Sequence, residues 1–118
     1  MALAWACARL IQQAWPMPRP FVLELGQLWI AHGASPSFPS THASVAFAWG
    51  ALAWWRMAHT RLRWWALVPP LLVAWSRVAV GVHFPIDVLA GLAVGTTSAW
   101  LVQRLRPRLL WAPAALPT

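Results

Sequence analysis

Apolar stretches long enough to cross a bilayer, broken by short clusters of Arg and His, constrain this chain more than any other feature. Of its 118 residues, 60% are hydrophobic and 9% charged, and the only acids are Glu24 and Asp87. An ordinary soluble domain carries about 25% charged residues, so this pattern suits a surrounding that is largely hydrocarbon. An Arg at the centre of a spanning helix costs roughly 2.5 to 3.5 kcal/mol even on the lenient insertion scale, and such residues usually face a bundle interior or a polar cavity. Arg77 and Asp87 stand in apolar surroundings and therefore need a chemical reason for being there.

The charge balance narrows the partners. All nine basic residues are Arg and the net charge is +7. A nucleic-acid binder needs a solvated basic face, whereas here the Arg residues gather at segment ends. Nucleic acid is thus excluded and a membrane is the expected partner. Eleven Trp fit the same setting, because an indole with an apolar body and one donor prefers the water–lipid boundary. The pairs Trp54-Trp55 and Trp64-Trp65 read as such anchors. Cys7 is the only cysteine, which rules out an intrachain disulfide and a cysteine metal cluster. No metal and no cofactor is expected.

The expected fold is all-α, an integral membrane helical bundle with about four membrane helices and a short interfacial helix. The first helix is expected over 2–15. It has no basic region ahead of its apolar stretch and is not read as a cleaved signal peptide. Pro16, Pro18 and Pro20 close it, since proline removes a backbone donor and biases the preceding residue away from helix. Residues 21–32 are too few to span and are expected to lie along the interface. A Ser/Pro loop follows over 33–40. Stronger helices are expected over about 43–58, 64–82 and 86–103, each close to the roughly 17 to 25 residues that cross a hydrocarbon core. Pro69-Pro70 should kink the second of these, and Gly91 and Gly95 have the spacing that lets two spanning helices approach closely. Residues 1–104 form one unit and 105–118 an Arg/Pro-rich tail.

The basic clusters set an orientation. Arg56, Arg61 and Arg63 lie between two of the strong helices, and Arg104, Arg106 and Arg108 follow the last. By the positive-inside rule both groups face the cytoplasm. The opposite ends then carry Arg19, Ser40, His42, Arg77, His83 and Asp87 on the outer side of the inner membrane, in a multi-pass chain whose site faces the periplasm.

Guanidiniums, a Ser hydroxyl and helix amino-termini make a receptor for a tetrahedral oxyanion, because the planar Arg fork pairs phosphate oxygens bidentately. A neutral imidazole attacks phosphorus if a carboxylate holds its other nitrogen as N–H, and Asp87 lies four residues beyond His83. Pro85 suits the first turn of the following helix. A second imidazole, His42, can protonate the departing oxygen. Each residue alone also has a structural use: Arg77 can snorkel, Ser40 can cap a helix, and Asp87 can favour a helix N-terminus. The spacing of all of them together argues for chemistry. His32 and His59 match no pattern and read as interfacial. Arg9 lies one turn from Gln12 and reads as snorkelling, the alternative being that it reaches into the pocket.

These residues resemble the type 2 phosphatidic acid phosphatase superfamily, whose three signatures occur here in order. The third is complete in Ser76, Arg77, His83 and Asp87. The second appears as Pro39-Ser40-Thr41-His42, with Thr41 in place of the usual Gly. The first is half present, with Arg19-Pro20 standing and Gln12 at the Lys position. Within that superfamily the stretches around Arg19, Ser37–Ala43 and Val80–Gly91 look most like bacterial undecaprenyl-diphosphate phosphatases. The resemblance implies metal-independent hydrolysis of a lipid phosphate, a polyprenyl diphosphate, through a phosphohistidine at His83. It further implies acid help from His42, support from Asp87, and phosphate held by Arg19, Ser40, Thr41, His42 and Arg77. Members usually have six spanning helices and this chain begins near the third, so the expectation is either a short or truncated reading frame or a core that assembles without the first two, by packing against a second copy or another protein. Phosphatidic acid is the alternative substrate. A catalytically inactive membrane interaction protein is the alternative class, and a vanadate haloperoxidase is disfavoured by the hydropathy.

Overall fold

Proline and glycine place the helix boundaries. In the computed structural model, which describes residues 1–110 (side chains to 105), four α-helices run over α1 (Ala2–Ala14), α2 (Thr41–Arg56), α3 (Val68–Ala79) and α4 (Pro85–Leu110), with 3-10 turns at Pro20–Leu23 and Arg61–Leu67. There is no strand among the described residues. Helix α1 ends just before Pro16, and α4 starts with Pro85 as its first residue, where a missing N–H costs nothing. Ser40 caps α2, its hydroxyl oxygen accepting from Ala43 N–H. This satisfies one of the donors a helix start leaves free.

Two expectations are corrected. Pro69 and Pro70 do not kink a helix over 64–82; they lie in the first turn of α3 and start it. The residues before them wind as a 3-10 turn over Arg61–Leu67. The interfacial helix expected over 21–32 shrinks to the single turn Pro20–Leu23. Glu24 adopts a left-handed conformation at φ 57° and Gly26 has φ 97°, and the chain then runs irregularly to Ser40. Helix α4 is longer than expected, continuing through Leu110. The remainder of the expected tail, 111–118, lies outside the described residues.

Small side chains let the helices meet. A Cβ on Gly91 would sit 2.8 Å from Ala43 Cβ and 3.0 Å from the Ser40 carbonyl oxygen, and one on Gly95 would collide with the Ser44 carbonyl. Both glycines therefore lie in the α2–α4 contact, where close backbone approach replaces the hydrophobic drive that lipid does not supply. Ala4 of α1, Ala48 of α2 and Ala99 of α4 form one buried seam, and Ala43, Phe47 and Val88 another. At 26 residues α4 is about 39 Å long. Its stretch Pro85–Leu105 is the one described helix long and apolar enough to cross a membrane.

The topology gathers one end of every helix. Helices α2 and α4 start side by side, with Ser40 N–H donating to the Asp87 carbonyl at 3.0 Å. The last turn of α1 arrives at the same place through Gln12, and α3 delivers Ser76 and Arg77 in its own final turn. Arg63 belongs to the opposite end, its guanidinium 4.8 Å from the Trp54 ring and 5.6 Å from that of Trp64. Those two rings pack edge-on at 4.7 Å. Arg104 lies 5.2 Å from the Trp100 ring on α4. Such cation–π contacts are worth about 0.5–1 kcal/mol at exposed sites.

Candidate active site

Asp87 is the centre of the gathered end. As the third residue of α4 it reaches back, and its Oδ2 accepts from the Phe84 N–H at 2.8 Å, the carboxylate half of a capping box. The same oxygen accepts from the Ser37 hydroxyl and faces His83 Nδ1 at 3.4 Å. Ser37 Oγ also lies 3.5 Å from His83 Nδ1. Asp87 is fully buried, and its Oδ1 has no hydrogen-bond partner among the described residues.

The other imidazole nitrogen of His83 meets Arg19, with Nη1 to Nε2 at 3.2 Å. A guanidinium only donates, so Nε2 is the acceptor, and the proton of a neutral ring sits on Nδ1 toward Asp87 and Ser37. His83 and Arg19 are 3% and 4% exposed, and this lone pair is aimed within the protein.

Arg19 is more engaged than its sequence position suggested. Its Nε donates to the Ser35 carbonyl at 2.8 Å, Nη1 to the Val82 carbonyl at 2.8 Å, and Nη2 to Ser35 Oγ at 3.1 Å and the Pro36 carbonyl at 3.3 Å. It clasps the 33–37 loop to the turn bearing His83. Burial lowers the pKa of its guanidinium below the ordinary value, and the negative charge of Asp87 opposes that shift. Arg77 is half-buried, and its Nε donates to Ser76 Oγ at 3.4 Å. Among the described residues no partner holds its two terminal nitrogens. Of the two guanidiniums, Arg77 is the one free to take a ligand.

His42 occupies the second position of α2 and is exposed, next to half-buried Thr41. Both line a cleft of about 360 Å³ with Trp5, Val45, Ala46 and Val73. Desolvation by partial burial lowers the pKa of the His42 ring below the ordinary value, and the positive charge of Arg77 lowers it further. The fold thus gathers at one end of the bundle the residues the spacing singled out, Arg19, Ser40, His42, Arg77, His83 and Asp87, together with Thr41, which the resemblance added. His32, which the sequence left at the interface, is half-buried. Its ring packs 6.5 Å from Phe21, and its Nδ1 lies 2.9 Å from the Gly33 carbonyl.

Two further participants are Ser37, which carried no sequence signal of its own, and Gln12, which the sequence marked only as standing at the Lys position of the first signature. Ser37 is one of several serines in a short loop, and only the closure of that loop over Asp87 distinguishes it. Gln12 is buried, with Nε2 donating to the Pro39 carbonyl at 2.9 Å. Arg9 does not enter the pocket; it donates to Gln12 Oε1 at 3.2 Å and lies 6.0 Å from the Trp5 ring. An apolar groove of about 540 Å³ between α2, α3 and α4 begins at Val88, the residue after Asp87, and continues past Phe47 and Ala74 to Leu92.

A bundle of helices whose ends gather two imidazoles, two guanidiniums and one buried carboxylate is an all-helical membrane architecture with a polar cluster at one end. Residues 1–111 match the PAP2 superfamily, and the chain belongs to it. The Escherichia coli (strain K12) protein YbjG is 38% identical over 98 residues, 81% of this chain and 46% of that protein. The undecaprenyl-diphosphatase BcrC of Bacillus subtilis (strain 168) is 37% identical over 94 residues, 76% of this chain and 48% of that one. The chain spans about half the length of these relatives. The crystal structure of a transmembrane PAP2 type phosphatidylglycerolphosphate phosphatase from Bacillus subtilis superposes with a TM-score of 0.70 at 27% identity, covering 94% of this chain and 59% of that one.

Proposed function

We propose that this chain is a membrane lipid phosphatase that removes the terminal phosphate of a polyprenyl diphosphate at the periplasmic face of the inner membrane. The observation that supports this best is the Arg19–His83–Asp87 alignment, in which the Nε2 lone pair is exposed to a cationic donor while the opposite nitrogen is backed by a carboxylate. In this reading His83 Nε2 attacks the terminal phosphorus and the bond to the bridging oxygen breaks. The lipid monophosphate departs with a proton from His42. Water then attacks the phosphohistidine, giving its proton to His42, and inorganic phosphate leaves with the His83 lone pair restored. Arg77, the Ser40 hydroxyl and the free N–H groups of the first turn of α2 hold the equatorial oxygens. No metal ion takes part.

The likeness to BcrC supports a polyprenyl diphosphate, and the groove beginning at Val88 offers the hydrocarbon chain a path beside the reacting phosphate. The site end lies opposite Arg63, so the positive-inside rule directs it to the periplasm. Phosphate release from undecaprenyl diphosphate by purified protein in detergent, lost in His83→Ala, is the expected result. A protein equally active after that change contradicts the mechanism. Labelling of Thr60→Cys, in a Cys7→Ala background, from the periplasmic side contradicts the orientation.

A further inference from the structure

The peptide joining Pro39 to Ser40 is gripped from both sides. Its carbonyl accepts from Gln12 Nε2 of α1 at 2.9 Å, and its N–H donates to the Asp87 carbonyl of α4 at 3.0 Å. A trans peptide is planar with C=O and N–H pointing in opposite directions. Two bonds at its two edges therefore fix the rotation of the whole plane. The residue so oriented, Ser40, is the cap of α2, and the two residues after it are Thr41 and His42. The angle of this one peptide sets where the first-turn N–H groups, the Ser40 hydroxyl and the His42 ring point.

Gln12 is suited to this by its two-sided chemistry. The side-chain amide has one donor end and one acceptor end. Pro39 presents only an acceptor, and Arg9 only donors. Flipping the amide would set oxygen against the Pro39 carbonyl and an NH2 against the Arg9 guanidinium, two repulsive pairs. Arg9 therefore holds Gln12 in the orientation that donates to Pro39. Gln12 is 3% exposed and Pro39 is fully buried, so an unmade bond here leaves a carbonyl without water to replace its partner.

We propose that Gln12 is a positioning residue for the phosphate-binding start of α2, and that Arg9 acts through Gln12. The proposal rests on the phosphatase reading for its rate measurements.

Gln12→Met keeps the side-chain volume and loses both hydrogen bonds. It is expected to lower kcat by about 10- to 100-fold, as a small misplacement of a reacting constellation does, with KM within about threefold, since uniform substrate binding is little changed. Gln12→Glu, which keeps the acceptor for Arg9 but not the donor for Pro39, should fall as far. Arg9→Met should cost less, and Arg9→Lys should recover it. The deciding measurement is the double variant: because Arg9 works through Gln12, Arg9→Met should cost nothing further in a Gln12→Met background. Full kcat in Gln12→Met overturns the proposal, as does an Arg9 loss that adds undiminished to the Gln12 loss. Affinity for orthovanadate, measured by calorimetry on the same variants, tests the clamp without turnover. A wild-type chain that binds vanadate without hydrolysing any lipid phosphate sinks the phosphatase reading alone. Vanadate affinity unchanged by Gln12→Met sinks the clamp.

Discussion

Arg19 Nη1 and His83 Nε2 stand 3.2 Å apart in a buried setting, and because Arg cannot accept, this pair assigns the lone pair of the imidazole to Nε2, where it accepts from Arg19. The nitrogen that would attack phosphorus is therefore distinguished from the nitrogen that is held. With His83 as the nucleophile, His83→Ala should reduce phosphate release by more than about 10³-fold. Acid-stable trapping is unsuitable for a phosphoramidate, so the check is alkaline quenching with labelled substrate. Label should stay on the wild-type protein and be absent from the variant.

Asp87 and Ser37 act on the other side of the ring. Asp87→Asn keeps a carbonyl oxygen that can accept from Phe84 N–H but removes the charge opposite Nδ1. Turnover should fall by about 10² to 10⁴-fold, the range seen when the orienting carboxylate of a catalytic His is neutralised. Ser37→Ala removes one donor to Asp87 and should cost about 1 kcal/mol of stability, with a smaller loss of turnover. Steady-state kinetics beside thermal unfolding in detergent separates the two effects.

In the proposed mechanism His42 must be protonated to assist departure. Partial burial, and then the charge of Arg77, lower its pKa below the ordinary imidazole value, so activity should fall as pH rises through the range just below neutral and His42 loses its proton. His42→Ala should remove that fall, and a flat wild-type profile from about pH 5 to 8 would contradict the assignment.

Gly91→Val should test whether α2 and α4 need their close approach. The new side chain would press on Ala43 Cβ and the Ser40 carbonyl, with an overpacking cost of about 1–3 kcal/mol. Because that contact lies at the site end, turnover should drop along with the melting temperature. The matching change at exposed Leu101 of α4, Leu101→Val, should alter neither by a measurable amount.

The groove beginning at Val88 should discriminate by chain length. Ala74→Trp fills part of it and should raise KM for a long polyprenyl diphosphate by about tenfold, equivalent to about 1.4 kcal/mol of lost binding. A short-chain diphosphate, which barely enters the groove, should be turned over as before. Equal KM changes for both substrates would argue that the hydrocarbon lies elsewhere.

Hydrophobicity, the Arg clusters and the spacing from Ser76 to Asp87 were enough to read an all-helical membrane bundle and to single out Arg19, Ser40, His42, Arg77, His83 and Asp87 as candidates at one end of it, Thr41 entering through the resemblance. Those features are local: segment length against bilayer thickness, and residues three or four apart on one helix turn. Proline and glycine positions also located the helix ends to within a few residues. The mistaken details were those in which a local rule had two solutions. Pro69-Pro70 can kink a helix or start one, and the 3-10 turn before them decides for a start. An apolar dozen residues after Pro20 can form an interfacial helix or unwind, and the left-handed Glu24 decides for unwinding.

What the chain order could not express is which loop atoms close around the carboxylate. Arg19 spends its donors on Ser35, Pro36 and Val82 as well as on His83, and Ser37 meets an aspartate 50 residues away. Gln12 holds a carbonyl 27 residues on. These contacts exist because Gly91 and Gly95 let α4 lie against α2 while α1 closes the opposite side, and hydrogen bonds of such reach depend on packing that no sequence interval encodes. The residue types and their spacing were written in the sequence. Their mutual orientation was decided only when the buried donors and acceptors had to satisfy one another without water.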